Sequence, residues 1–219
     1  MQGGRAILAA VSTNRIVRYL VAAAGVGVAA VVGYLLHKEG RRVYETHAVV
    51  SIVGEATTQL KSGLKTASPE ALQKVEADLR SVGGWSNAEL ADAAEQYLIG
   101  AREILKRRAD ADRLKQKAAA SRAALSEHMD RAGRRDLPWI RAALDLKKRV
   151  EHDYFDLDVQ LGALADLLQA FPEANKRVAP HVAASLLLED SVRRSAHAAV
   201  LEEARRARAE LQDTRRWVQ

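Results

Sequence analysis

The sequence predicts an all-α protein, with an N-terminal single transmembrane helix followed by a long antiparallel helical bundle or coiled-coil hairpin. Three observations predict it. Residues 19–36 form an uncharged, mostly apolar run, YLVAAAGVGVAAVVGYLL. The composition is alanine-rich, with only 5% aromatic residues and four prolines, which favours helix over strand. Beyond residue 43, apolar residues recur at helical and heptad spacing. The 219 residues allow one domain or at most two, and a 48% hydrophobic content excludes disorder throughout. With no cysteine, disulfide frameworks, thiolate metal sites and cysteine nucleophiles are excluded. The expected boundaries are an N-terminal segment at 1–14, a membrane anchor at 15–37, a stalk with short helices at 38–84 and the bundle at 85–219.

The apolar run, extended by Ile16 and Val17, is long enough to cover the roughly 30 Å of a hydrocarbon core. Tyr19 and Tyr34 stand near its ends, where amphipathic rings favour the interface. A cleaved signal peptide would need a shorter apolar region and a small-residue cleavage site. This run instead ends in Leu35-Leu36-His37-Lys38-Glu39-Gly40, so a retained anchor is expected. Arg15 and Arg18 on one side, and Lys38, Arg41 and Arg42 on the other, are placed to contact lipid headgroups. Three Lys or Arg precede the span (Arg5, Arg15, Arg18) and three follow it, so the positive-inside rule gives no orientation. The acid-free start fits a bacterial inner-membrane anchor and a mitochondrial inner-membrane protein equally. Gly25, Ala29 and Gly33 recur every four residues, a small-residue stripe through which membrane helices pack closely. Membrane helices are rich in Gly and Ala in any case.

Apolar residues at 49, 52, 53, 56, 60 and 64 predict a helix over 43–66, although VVSIV is also compatible with a short strand. Ser68-Pro69-Glu70 is a helix start, with a capping hydroxyl, proline at the first helical position and an early acid; Gly83-Gly84 should end that helix. Ser86-Asn87-Ala88-Glu89 reads as a capping box. The helix it opens carries Leu90, Tyr97, Ile104, Ala111, Ala118, Leu125 and Ala132 at seven-residue intervals. Its alanines point to close approach by a neighbour. A breaker at Gly133–Pro138 precedes a second long helix beginning near Trp139. That helix carries the strongest seam: Val150, Tyr154, Leu157, Leu161, Leu164, Leu168 and Phe171 alternate spacings of four and three. Pro172 should end it, and a last helix after Pro180 is expected to run through Leu186, Val192, Ala196, Val200, Ala207 and Leu211. Whether the 150–171 seam is filled from within the chain or by another subunit is not decided by periodicity.

No phosphate loop, HExxH, GxSxG or EF-hand pattern occurs, so the chain is not expected to be an enzyme; no cofactor, metal or small-molecule substrate is implied. His152 and Asp156 share a helix face four residues apart, but two ligands are an incomplete metal site and a solvated face explains them as well. Basic clusters at 106–108, 113–117, 134–135, 147–149 and 205–208 are interleaved with acids and lack stacking aromatics, which argues against a nucleic-acid surface. The net charge of +6 divides unevenly, with +5 in residues 1–42 and +1 in residues 43–219. The high pI therefore belongs to the flanks of the anchor. Beyond it the balance alternates: −4 over 43–101, +8 over 102–149, −6 over 150–190 and +3 over 191–219. Antiparallel neighbours of opposite charge would favour one register. The expected function is a membrane-anchored structural or assembly protein (an accessory subunit, tether or scaffold, in one variant an envelope-spanning rod). Its partners would be the membrane and other proteins, or copies of itself, reached through the helical seams and the small-residue membrane face. The alternatives are a single-pass sensor with a ligand-binding bundle and, less favoured, a membrane tether for nucleic acid.

Overall fold

The computed structural model describes residues 3–66, 68–131 and 136–216, with side chains from residue 30 onward. These residues form six α-helices and one 3-10 turn, with no strand among them: α1 Gly3–Gly63, α2 Pro69–Val82, α3 Ala88–Asp130, α4 Leu137–Ala170, α5 Pro172–Val178, the turn Ala184–Leu186, and α6 Asp190–Arg216. The chain divides into two compact units, Met1–Glu45 and Thr46–Gln219, and α1 contributes to both. No proline occurs before Pro69, so nothing in the sequence interrupts the backbone ladder, and VVSIV is helical.

In the first unit, every described side chain from residue 30 to residue 44 is exposed, including Val31, Val32, Leu35 and Leu36. Among the described residues no helix is long and apolar enough to cross a membrane. The anchor expected at 15–37 lies largely outside the residues whose side chains are described, as do Arg15, Arg18, Gly25 and Ala29.

The second unit is a helical bundle. Its core takes Val49, Val53, Ala56 and Leu60 from α1 and Ala71, Val75 and Val82 from α2, all almost fully buried. Residues 46–82 are thus part of the bundle, and the boundary expected at 84/85 falls inside the compact unit. The difference arises because helical spacing shows which residues share a face, not what covers that face.

Local chemistry sets the helix ends. Ser68 Oγ accepts the amide of Ala71 at 3.2 Å, with Pro69 in the first turn of α2. At α3 the cap is Asn87, whose Oδ1 accepts the Leu90 amide at 3.3 Å, one residue later than the Ser86 expected from the capping box. Asparagine is as strong an N-cap as serine, and it stands next to the first helical residue. Asp136 caps α4 by accepting the Trp139 amide at 3.1 Å, and Pro138 fits the first turn where an amide hydrogen is dispensable.

Helices α3 and α4 run antiparallel, and α4 also packs along α6. Every described member of the α3 heptad series is buried: Leu90, Tyr97, Ile104, Ala111, Ala118 and Leu125. On α4, Val150, Leu157, Leu161, Leu164, Leu168 and Phe171 are buried and Tyr154 is half-buried, all within the single chain. Tyr97 joins several elements. Its hydroxyl is 2.5 Å from Thr57 Oγ1 of α1, and its ring meets Phe171 at 5.2 Å between centroids. Burial pushes the Tyr97 phenol above its ordinary range, countered by the Thr57 hydroxyl and the Leu188 backbone. Gly100 lies against the same ring, for a Cβ there would come within 3.0 Å of Phe171 Cε2.

The last expected helix begins later than Pro180. Leu186 closes the 3-10 turn, Leu187 is extended, and α6 starts at Asp190. Three successive leucines cannot share one helical stripe, whereas the non-helical path turns Leu188 into the core. Asn175 Nδ2 holds this path by donating to the Leu188 carbonyl at 2.9 Å.

Two outcomes follow for urea unfolding of the full chain monitored by circular dichroism. Leu161→Ala should lose about 2–5 kcal/mol by opening a cavity at the junction of α3, α4 and α6. Gly100→Val should destabilise by about 1–3 kcal/mol, because the ring of Phe171 must move to admit a branched side chain.

Candidate functional site

The arrangement most able to act on another molecule is the side of the bundle where α3 and α6 flank α4. Arg108, whose side chain is only 8% exposed, donates from Nη1 to Glu203 Oε1 and pairs through Nη2 with Asp112 Oδ1, each at 3.0 Å. Lys115 Nζ reaches the other Glu203 oxygen at 3.4 Å. Two turns further along, Arg122 pairs with Glu210. These pairs connect α3 to α6 above an apolar floor of Tyr154, Leu157 and Leu161 from α4, and the space between holds about 230 Å³. Two carboxylates compensate the lost hydration of a guanidinium as enclosed as that of Arg108.

A second polar knot links α3 to α4. Asp153 is fully buried; its Oδ2 accepts from Ser121 Oγ at 2.6 Å, and its Oδ1 faces Lys117 Nζ at 2.8 Å. Burial alone would raise this carboxyl. Hydrogen bonds from Lys117 and Ser121, with the charges of Lys117 and His152, outweigh it and hold the group below the ordinary carboxylate range. Further pairs secure the register: Arg107 Nη1 donates to Gln160 at 2.8 Å, and Arg208 Nε donates to both Asp158 oxygens at 2.8 and 2.9 Å. The basic clusters read from the sequence thus meet intrachain acceptors at Arg107, Arg108, Arg113, Lys115, Lys117, Lys147, Arg206 and Arg208.

Further in the same unit, α1 ends beside α6. Lys61 Nζ pairs with Glu189 Oε1 at 3.0 Å, and a cleft of about 660 Å³ opens among residues 61–65, Arg108 and the first three turns of α6. At the opposite end of α4, Trp139, Ile140 and Leu144 meet Leu125 and Met129 around a smaller apolar groove of about 160 Å³. His128 stacks on Trp139 at 5.0 Å and its Nε2 lies 3.1 Å from the Trp139 carbonyl; since a carbonyl only accepts, Nε2 carries the proton.

The expected site residues are distributed as follows. The seam from Val150 to Phe171 lies in the core, packed by α3, α5 and α6, and is not a free surface. Lys38, Arg41 and Arg42 are exposed on α1, with Arg42 Nη1 3.5 Å from Glu39 Oε1. A Cβ added at Gly33 would meet nothing within 4 Å. His152 Nε2 lies 3.4 Å from Asp156 Oδ2, and among the described residues no group of three or more His, Asp or Glu is placed to hold a metal. The Arg108–Glu203 network and the cleft beside it were not legible in the sequence. Arg108 and Glu203 are 95 residues apart, and each stands in a charge run that reads as a solvated face.

Glu203→Gln should lower stability by about 1–3 kcal/mol in the same unfolding assay, since it leaves Arg108 enclosed with one carboxylate instead of two. Asp153→Asn should cost a similar amount at neutral pH. Because the folded Asp153 carboxyl titrates below its unfolded value near 4, its contribution is full above that value and is lost as pH falls through the folded one. The gap between wild type and Asp153→Asn should therefore close in acid; a gap that stays constant from pH 7 to pH 3 would contradict this account. Compared with protein-family models, with curated proteins and with solved structures, the chain matches none.

Proposed function

We propose that the chain is a membrane-anchored helical assembly protein, a tether or accessory subunit that holds other proteins at a bilayer through its bundle. The observation that carries this reading is the exposed apolar helix surface in the first unit. Val31 is 59% exposed and Leu36 is 70% exposed, and Val32, Tyr34 and Leu35 between them are exposed as well. Five apolar residues within six positions spread over more than half of a helix's circumference, and such a segment belongs inside a lipid bilayer or a larger protein core. It closes the uncharged run that begins at Tyr19, and Lys38, Arg41 and Arg42 follow where headgroups would lie.

Support for protein contacts comes from α4. Leu137, Leu144 and Phe155 stand seven and eleven residues apart, so at about 100° per residue they point the same way to within about 20°. All three are exposed, as are Ile140 and Val159. An exposed row of large apolar residues on one helix is the kind of surface that partner proteins cover.

Membrane fractionation of cells expressing the full chain tests the anchor. The wild-type chain should stay in the pellet under alkaline extraction, while Val31→Lys combined with Leu35→Lys should move it to the supernatant. A wild-type chain found in the supernatant would sink the anchor. Crosslinking in native membranes tests the bundle: Leu144→Asp combined with Phe155→Asp should keep the chain in the pellet and remove its crosslinked adducts, and an unchanged adduct pattern would sink the α4 surface.

A further inference from the structure

We propose that the cleft between the end of α1 and the first turns of α6 binds a singly charged amphipathic carboxylate, an acid group on a compact apolar body such as a medium-chain fatty acid. This site lies wholly within the second unit and does not depend on the anchor.

The cleft encloses about 660 Å³, inside the range of roughly 300–1,000 Å³ typical of small-molecule sites. Its walls divide by chemistry. Leu64 of the turn after α1 and Val192, Ala196 and Val200 of α6 present apolar surface, while the hydroxyls of Ser191 and Ser195 stand one helical turn apart. Ser195 and Ala199 are small residues at exposed positions on α6, which is why the cleft stays open.

Charge selects the ligand. Arg108, Asp112, Lys115 and Glu203 form a network whose charges cancel, and Lys61 is matched by Glu189. Lys65 also lines the cleft, is exposed, and makes no ion pair among the described residues. One uncompensated positive charge beside apolar walls favours one negative charge on an apolar body. A dianion such as phosphate would have to displace Glu203 from Arg108 and would leave the apolar walls wet. The Ser191 and Ser195 hydroxyls, one turn apart on the same wall, would donate to a carboxylate held beside Lys65.

Photo-crosslinking of the full-length protein in detergent with a diazirine-bearing octanoate tests the site, with the labelled peptides read by mass spectrometry. Label should fall on residues 61–65 and 191–200. Octanoate should compete for it, and octanol, octylamine and inorganic phosphate should not. Lys65→Met should weaken octanoate competition at least tenfold while Lys65→Arg preserves it. Ala199→Phe, which fills the cleft from an exposed position, should abolish labelling there. Unfolding midpoints matching wild type would show that each variant folds. Equal competition by octanol would mean partition into an apolar surface, and equal competition by phosphate would mean a general anion site; either overturns the proposal. So would label spread over the chain, or labelling unchanged in Lys65→Met and Ala199→Phe.

Discussion

The bundle depends on one helix serving two neighbours with a single stripe. Over 34 residues α4 presents Val150, Leu157, Leu161, Leu164 and Leu168 to one side, and both α3 and α6 pack against it. All of these side chains are buried, so truncating one leaves a cavity in the core that the helices share. The alternating spacing of four and three keeps the stripe straight along the axis, which lets one helix act as a common wall.

The alanines of α3 complement that wall. Ala94, Ala101, Ala111 and Ala118 are almost completely buried, and their small side chains let neighbouring helices approach α3 closely. Where α3 and α6 come near each other the filling is ionic instead. Arg108, Lys115 and Arg122 reach from α3 to Glu203 and Glu210. From residue 102 onward α3 carries eight basic and five acidic residues, and α6 carries seven and five, so acids on α6 reconcile two basic stretches that would otherwise repel. An enclosed ion pair adds little net stability over an apolar pair of the same shape, but an offset of one helix against another would strand each charge. These pairs therefore bear more on register than on stability.

The tight core of the bundle contrasts with an uneven surface. Apolar residues lie in the open on α1, at the start of α4 and along its outer side, while the strongly paired charges sit between helices. Two buried polar groups with shifted titration behaviour are held by structural partners, Asp153 by Lys117 and Ser121, Tyr97 by Thr57. Such groups stabilise the positions of α1, α3 and α4 relative to one another.

The helical class, the cap at Ser68, the heptads of α3 and the seam of α4 were determined by the sequence alone, because each rests on residues within a few turns of one another. Spacing of 3.6 residues and the chemistry of a free amide hydrogen are local facts. The path from Leu186 to Leu188 was not local, because a run of leucines takes its conformation from the core that Leu188 fills. The placement of residues 46–82 within the bundle was likewise decided by which faces found each other. So were the Arg108–Glu203 network and the cleft beside Lys65, which bring together groups from the end of α1, the middle of α3 and the beginning of α6. Their meeting depends on how α3 and α6 sit on either side of α4, and that is a property of the packed helices rather than of any one segment.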